Sequence, residues 1–539
     1  MLDVETLPEM LAARTLLSPA GRPLEFIDAA VAAPSYAELD RRARSIAAGL
    51  GERAPRGSRA LLVMPTGDDF VAAFFGCLYA GIVAVPCPPP LPGAMAERFA
   101  DIVADCTPEL LVTTAEWAAL MPASGMQVVA ADALLGWAEF APVEITAHDI
   151  AYLQYSSGTT GKPRGIVVRH ANALANLRLS SADHALTSDD RIVGWLPLFH
   201  DLGLVSQILQ PIFDDSRAVL MQPQDFVADP ARWLREVSTQ AATIVALPGF
   251  AYDMLLRRVP PEQRAALRLD RLRIARTAAD ELDPERMRAF TDGFAVSGLD
   301  PIVLNTGYGL GEAVLHVCIT PPGTPVVTLR ADRDSLSHGI LRSTTREDAV
   351  TVVGSGRPGA DLPVAIVSRE DRRLVLPDGR VGEIAIAGAS VVMEYWGEEE
   401  TGFDIDGVRY QWTGDLGCLL DGELFVLGRT ADLLVVDGRE YRAADIERTA
   451  AKAYPRIRPH ACAVFADTGS IVLVAELVDG HDMAAQAVRA AVAARHDLVL
   501  DDIHFVARGA VPVTTSGKVR RRRAAEFYRR QRPTSAAQS

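Results

Sequence analysis

Over most of the first 430 residues, apolar side chains at helical spacing alternate with short β-branched runs. Residues 36–50 carry their apolar positions at helical intervals and follow Ser35, a side chain suited to capping a helix N-terminus. Residues 60–64 read as a strand, 70–80 as a buried helix closed by Gly81, and 82–85 as the strand that follows. The same pattern predicts strands at 110–113, 127–130, 217–221, 243–247 and 302–305. Helices between strands require crossover connections, so the expected class is α/β with doubly wound, largely parallel sheets. Past about residue 360 the pattern shortens. Strands at 364–367, 382–387 and 423–427, separated by turn residues, predict a small β-rich unit, and a separate C-terminal unit begins near Arg429. The last residues, 533–539, are small and polar and are expected to fray.

The longest apolar run, 70–85, contains Gly76 and Gly81 and stops at Pro86. It falls short of the ~20 residues a membrane-spanning helix needs. The acidic start has no basic stretch ahead of an apolar core, so no signal peptide is expected. Six cysteines (Cys77, Cys87, Cys106, Cys318, Cys418, Cys462) lie far apart without a C-x-x-C pair, which excludes a disulfide scaffold or zinc ribbon and fits a reducing, cytoplasmic setting. Lys plus Arg number 54 against 69 Asp plus Glu, and the resulting −15 repels polyanions, so nucleic-acid binding is not expected.

The sharpest local signal is Tyr155-Ser-Ser-Gly-Thr-Thr-Gly-Lys-Pro-Arg-Gly165. Its glycines let a backbone approach an anion closely, its hydroxyls and N–H groups donate, and Lys162 and Arg164 add charge. It is not a Walker A loop: Ser156 stands where that pattern needs Gly, and Pro163 where it needs Ser or Thr. A Ser/Gly stretch alone is usually an ordinary turn. No G-x-S-x-G elbow or H-E-x-x-H pair is present, and Gly307-Tyr-Gly-Leu-Gly311 lacks dinucleotide-fold spacing.

Four further motifs follow in order: Trp195-Leu-Pro-Leu-Phe-His-Asp-Leu-Gly-Leu204, Asn305-Thr-Gly-Tyr-Gly-Leu-Gly-Glu-Ala313, Trp412-Thr-Gly-Asp-Leu-Gly417 with Gly428-Arg-Thr-Ala-Asp432, and Pro512-Val-Thr-Thr-Ser-Gly-Lys-Val-Arg520. Together with the loop they resemble the adenylate-forming superfamily over nearly the whole chain. The segment from Asp69 to Pro90, the Phe199-His-Asp-Leu-Gly form and Gly356-Arg-Pro-Gly are most similar to the fatty acyl-AMP ligases. About thirty residues, 326–354, stand where those ligases carry an extra segment associated with refusing coenzyme A.

The resemblance implies a large N-terminal adenylation domain, 1–428, and a small mobile α+β lid, 429–539. It implies ATP and Mg²⁺ as cofactors, a fatty or related carboxylic acid as donor, and the phosphopantetheine thiol of an acyl carrier protein as acceptor, in polyketide or lipopeptide assembly. Lys518 would bridge the carboxylate and the α-phosphate; His200 would orient the acid. Ser156, Ser157, Gly158, Thr159, Thr160, Gly161 and Lys162 would hold the β- and γ-phosphates. Glu312 and Thr159 would anchor the metal, both being oxygen ligands. Tyr308 would stack on adenine, beside Thr306, Gly307 and Gly309, with Ala278, Ala279 and Asp280 on the other face. Asp415 and Arg429 would take the ribose.

Three positions depart from the family pattern: Ala431 at the hinge, Arg164 where Lys is usual, and Gly311 before Glu312. An acyl-CoA synthetase and a catalytically silent nucleotide-binding homologue are the alternatives; Lys518, Glu312 and Asp415 argue against the silent form. Phe250, Tyr252 and Met254, after the 243–247 strand, could line an acyl pocket or fill the core. Residues 518–532 carry eight cations against Glu526, either a solvated helix end or a dock for an acidic carrier.

Overall fold

A computed structural model describes residues 2–531 apart from 30–31, 122–124, 137–139, 157–162, 278–282, 459, 478, 480 and 515–517. Two large sheets organise the N-terminal part. The first runs Leu24–Phe26, Arg217–Leu220, Arg191–Gly194, Ile244–Leu247, Ile274–Thr277, Leu304–Gly309 and His316–Ile319, parallel except for the last strand. The second runs Gln127–Ala130, Leu110–Thr113, Arg59–Leu62, Val83–Pro86, Ile150–Tyr155 and Gly165–Arg169, again parallel until its final strand. Each sheet therefore ends in an antiparallel hairpin.

Helices Leu7–Leu17, Tyr36–Gly51 and Asp68–Tyr79 pack on one another. Helix His170–Asp183 touches the last strand of both sheets. One apolar core joins the layers, taking Leu62 and Val112 from one sheet and Val193 and Ala275 from the other. The helix at 36 starts as expected: Ser35 caps it, and Glu38 reaches back to complete a capping box, a device worth about 1 kcal/mol. The predicted helix at 70–80 spans Asp68–Tyr79, and Gly81 adopts φ +66° behind it. The strand expected at 302–305 begins later, at Leu304. Asp300 accepts from the Ile302 N–H and Pro301 opens a 3₁₀ turn, so the first apolar residues there are spent on a turn.

The β-rich unit is an antiparallel sheet of Val364–Val367, Gly382–Ile386, Val408–Leu420 and Phe403–Ile405, with Glu423–Arg429 paired to the long strand. Segment 326–354 forms a two-stranded ribbon, Thr328–Ala331 with Val350–Val353, around the short helix Arg333–Ser337. Its Ala331, Leu341 and Val352 pack on Cys418, Phe425 and Leu427 of the β unit. The residues after Leu433 build their own sheet, Cys462–Asp467, Ser470–Glu476 and Asp502–Val506, flanked by helices Ala443–Ala453, His481–His496 and Arg521–Gln531. Its apolar clusters draw only on residues beyond 433. No described helix is long and apolar enough to cross a membrane.

His170 ties the N-terminal helix to this frame. It is 2% exposed, and its Nδ1 accepts the Leu7 backbone N–H at 3.3 Å. Burial pulls its pKa down to about 4. The unfolded imidazole takes a proton below about pH 6.5 while the folded one stays neutral, so the stability it contributes is full above 6.5 and drains as pH falls towards 4. Between pH 7.5 and 5, urea unfolding of the wild type should lose about 2 kcal/mol more than that of His170→Gln; equal losses would refute this linkage.

Candidate active site

The hairpin ends of the two large sheets, the long hairpin of the β unit and the C-terminal unit surround one cavity of about 1510 Å³. Strand Ile150–Tyr155 delivers Ser156 to its wall, and the return strand starts after Arg164. The Ser156 N–H bonds the Arg164 carbonyl at 3.3 Å and closes the base of the loop. Arg164 does not hang free: it grips Glu398, its Nε 2.9 Å from Oε1, and lies over the Tyr395 ring. Ser157, Gly158, Thr159, Thr160, Gly161 and Lys162 lie outside the described residues, as do Ala278, Ala279 and Asp280.

At the second hairpin, Tyr308 and Gly309 face the cavity. Gly309 is required by close approach, since a β-carbon there would overlap the Leu315 carbonyl oxygen. The Tyr308 hydroxyl donates to Asp415 Oδ2 at 2.7 Å, and Arg429 Nε sits 3.3 Å from the other carboxylate oxygen. Asp415 and Arg429 are register partners in the β unit, so strand pairing itself presents them side by side. Burial and the Asp415 charge push the Tyr308 phenol well above its ordinary range, keeping it a donor. Thr306, in contrast, turns away from the cavity: its hydroxyl donates to the Gly354 carbonyl at 2.6 Å and pairs with Thr320.

Glu312 lies in the 3₁₀ turn Gly311–Ala313 and accepts from the Tyr395 hydroxyl at 2.8 Å. Burial raises its pKa above the usual carboxylate range. Across the cavity, His200 Nδ1 lies 2.5 Å from Asp201 Oδ1, and the same oxygen accepts the Leu202 N–H at 2.6 Å. Because the carboxylate cannot donate, Nδ1 carries the proton and Nε2 is left for a substrate. Burial opposes the Asp201 charge, but His200, the Leu202 N–H and Lys518 outweigh it and hold the carboxyl below its normal range. Two residues fix this corner: Gln154 Nε2 donates to the Phe199 carbonyl at 3.0 Å, and Gly203 abuts the Pro197 carbonyl so closely that a β-carbon would overlap it.

Lys518 enters from the C-terminal unit. Backbone bonds shape its loop: the Thr514 N–H donates to the Lys518 carbonyl at 2.7 Å, and Val513 bridges Val519. Arg521 anchors the same segment, donating to Asp432 at 2.6 Å and to both oxygens of Glu447. Asp432 belongs to the turn Thr430–Asp432 that joins the β unit to the C-terminal residues, with Ala431 at its centre. Arg523 pairs with Glu97 and Arg529 with Asp467, so part of the C-terminal basic stretch is already committed within the molecule.

The sequence motifs thus meet: Ser156, His200, Gly307, Tyr308, Gly309, Glu312, Asp415, Arg429 and Lys518 all face one space. Phe250, Tyr252 and Met254 do not. Phe250 meets the edge of Trp195, the Tyr252 hydroxyl bonds Thr277, and Met254 packs on the core; the same helix presents Asp253, Leu256 and Arg257 to the cavity instead. Tyr395, Gln154 and Arg276 were not singled out from the sequence. Arg276 carried a usable signal, a cation inside a buried strand; Tyr395 and Gln154 carried none.

The family of AMP-binding enzymes matches residues 25–396, and the AMP domain of the Disco-interacting protein 2-like family matches 431–538. The chain is 32% identical to the medium-chain-fatty-acid–[acyl-carrier-protein] ligase JamA of Moorena producens, over 96% of this chain and 94% of that one. It superposes with a TM-score of 0.90, at 30% identity and 98% coverage of both chains, on a structure from a study of fatty acyl-adenylate ligases of E. coli and L. pneumophila. A fatty acyl-adenylate ligase from L. pneumophila, solved with acyl adenylate and pyrophosphate, matches with a TM-score of 0.78 at 29% identity over 98% of this chain and 96% of that one. By sequence along most of its length and by fold, the chain belongs to the AMP-binding, adenylate-forming enzymes and, among them, to the fatty acyl-AMP ligases.

Proposed function

We propose that this chain activates a fatty or related carboxylic acid with ATP, forming acyl-AMP and pyrophosphate, and then passes the acyl group to the phosphopantetheine thiol of an acyl carrier protein. The observation that carries the reading is the convergence of Lys518, the His200–Asp201 pair and the Tyr308–Asp415–Arg429 set on one cavity. In the first step a carboxylate oxygen forms a bond to the α-phosphorus and the bond to pyrophosphate breaks. A carboxylate is already a nucleophile at neutral pH, so the barrier is the approach of one anion to another. Lys518 neutralises the meeting point, and His200, oriented through Asp201, positions the acid. Asp415 accepts from the ribose hydroxyls, Arg429 reaches the ribose, and Tyr308, with Gly307 and Gly309 beside it, receives adenine.

Mg²⁺ fits the site as an ion carried on phosphate. Glu312 is a buried carboxyl whose charge is disfavoured until a cation arrives, and no described cluster of three or more His, Cys, Asp or Glu side chains could hold a metal alone. Glu312, with Thr159 from the phosphate loop, would hold it, and the ion would neutralise phosphate charge.

Residues 1–428 are the adenylation domain and 429–539 the lid, turning at Ala431 for the thiol step; a small residue can absorb such a backbone change. The name of JamA, a ligase for an acyl carrier protein, supports that acceptor. So does the ribbon 326–354, which reaches the lid where Arg333 Nη1 donates to the Arg495 carbonyl at 2.6 Å. Six free, buried thiols support a reducing cytoplasm.

Incubation with ATP, a panel of carboxylic acids and either free coenzyme A or a phosphopantetheinylated carrier should yield acyl-AMP and acyl-carrier; abundant acyl-coenzyme A would overturn the acceptor assignment. Lys518→Ala should lower acyl-AMP formation by about 10²–10³ in kcat with little change in thermal midpoint. Unaltered kcat would remove Lys518 from the mechanism.

A further inference from the structure

Strand Ile274–Thr277 lies inside the seven-stranded sheet, between Ile244–Leu247 and Leu304–Gly309, and all four of its residues are buried. A parallel strand covered on both faces should be apolar throughout. Ile274 and Ala275 comply; Arg276 does not. It sits opposite Ala246 on one side and Asn305 on the other, is 5% exposed, and lines the active cavity. Its Nε is buried without a hydrogen-bond partner, and its guanidinium forms no ion pair among the described residues.

The surrounding groups compensate it only in part: the Asp201 charge favours it through space but forms no ion pair with it. Asp201 is committed to His200 and the Leu202 N–H. Asp183 is committed to His316, 2.6 Å away. Cys318 gives its thiol hydrogen to the Ser355 carbonyl at 3.3 Å, and burial keeps it a thiol. His184 and His316 are held neutral by burial, with Arg276 itself opposing their protonation. Across the register, Asn305 Oδ1 also lacks a partner. Desolvation lowers the Arg276 pKa only to about 10, so it remains charged at neutral pH. A buried charge is retained only if something pairs with it. In this molecule the open side of Arg276 is the substrate cavity.

We propose that Arg276 sets the substrate class: its guanidinium receives a second carboxylate of the acid, so that the preferred donor is a dicarboxylic acid, activated at one end and held at the other. This rests on the acid-activating function above. The planar fork of arginine matches a carboxylate with two parallel hydrogen bonds. A hydroxyl or keto oxygen would leave the charge unbalanced, and a plain alkyl chain would be laid against a desolvated cation. During activation one carboxylate forms the bond to the α-phosphorus as pyrophosphate leaves; the other stays ionised and unreacted on Arg276.

The test compares α,ω-dicarboxylic with monocarboxylic acids of matched length in ATP-dependent acyl-AMP formation by the full chain. The diacid should be favoured in kcat/KM by about 10²-fold or more at the best length, because a desolvated charge left unpaired discriminates strongly. Arg276→Leu should cost the diacid about 10²-fold, chiefly through KM, while the monoacid improves, and Arg276→Lys should restore part of the preference. Diacid should raise the thermal midpoint of the wild type and not that of Arg276→Leu. A wild-type preference for monoacids at every length overturns the proposal without recourse to any variant. So does an Arg276→Leu enzyme whose diacid-to-monoacid ratio is unchanged. Activation of monoacids alone would leave the acid-activating function standing, whereas acyl-AMP from neither class would remove that function as well.

Discussion

Repulsion between two anions is the constraint around which this molecule is organised. A carboxylate and a polyphosphate do not meet in a low-dielectric cavity unless fixed positive charge and oriented donors are already in place. The donors here are not contributed by one element. They come from the ends of three antiparallel hairpins, from the turn before helix Asp201–Leu204 and from a loop of the C-terminal unit, and several are held by bonds to other groups in the cavity wall. Tyr308 and Arg429 share the Asp415 carboxylate, Tyr395 steadies Glu312, and Asp201 orients His200. Pre-set geometry of this kind spares the reaction the cost of reorganising its surroundings.

The parallel sheets explain why the hairpins are where they are. Parallel strands covered by helices make a rigid, apolar interior whose strand ends are the natural place for polar groups. Reversing the last strand of each sheet puts a turn, rather than a long crossover, at that end. Those reversals bring Ser156 and Arg164 together at one sheet end and carry the Glu312 segment at the other. The β unit supplies its pair differently: Asp415 and Arg429 face each other within a ladder, so their separation is fixed by strand pairing rather than by side-chain packing. The C-terminal unit is joined through a single turn, and Arg521 bonds to that turn and to Glu447 of the unit at once. The segment that carries Lys518 and the turn Thr430–Asp432 are therefore tied by one guanidinium.

Much of the fold was legible because local rules and tertiary demands agreed. Ser35 with a helical pattern gave a helix start, and short β-branched runs between helices gave a parallel sheet; strands such as Leu110–Thr113 and Gln127–Ala130 lie where the pattern placed them. The start of the strand at Leu304 was not legible, since a capped 3₁₀ turn and a strand use the same apolar residues. The motif residues were legible as chemistry, because donors, acceptors and glycines at fixed spacing limit what a loop can bind. Phe250, Tyr252 and Met254 show the limit of that reasoning: which face of a helix meets a cavity depends on what packs against the other face.

By itself, then, the sequence determined the α/β class, the order of the motifs and the chemical types available to the site, because periodicity and short-range stereochemistry are local properties. Only the tertiary structure decided that Thr306 turns inward, that Arg164 is spent on Glu398, and that Tyr395 bonds Glu312 and Gln154 the Phe199 carbonyl, partners far away in the chain. It alone placed a charged Arg276 against the substrate cavity with its Nε unpartnered among the described residues. These are facts of desolvation and long-range pairing, and they come into being only when segments hundreds of residues apart are folded together.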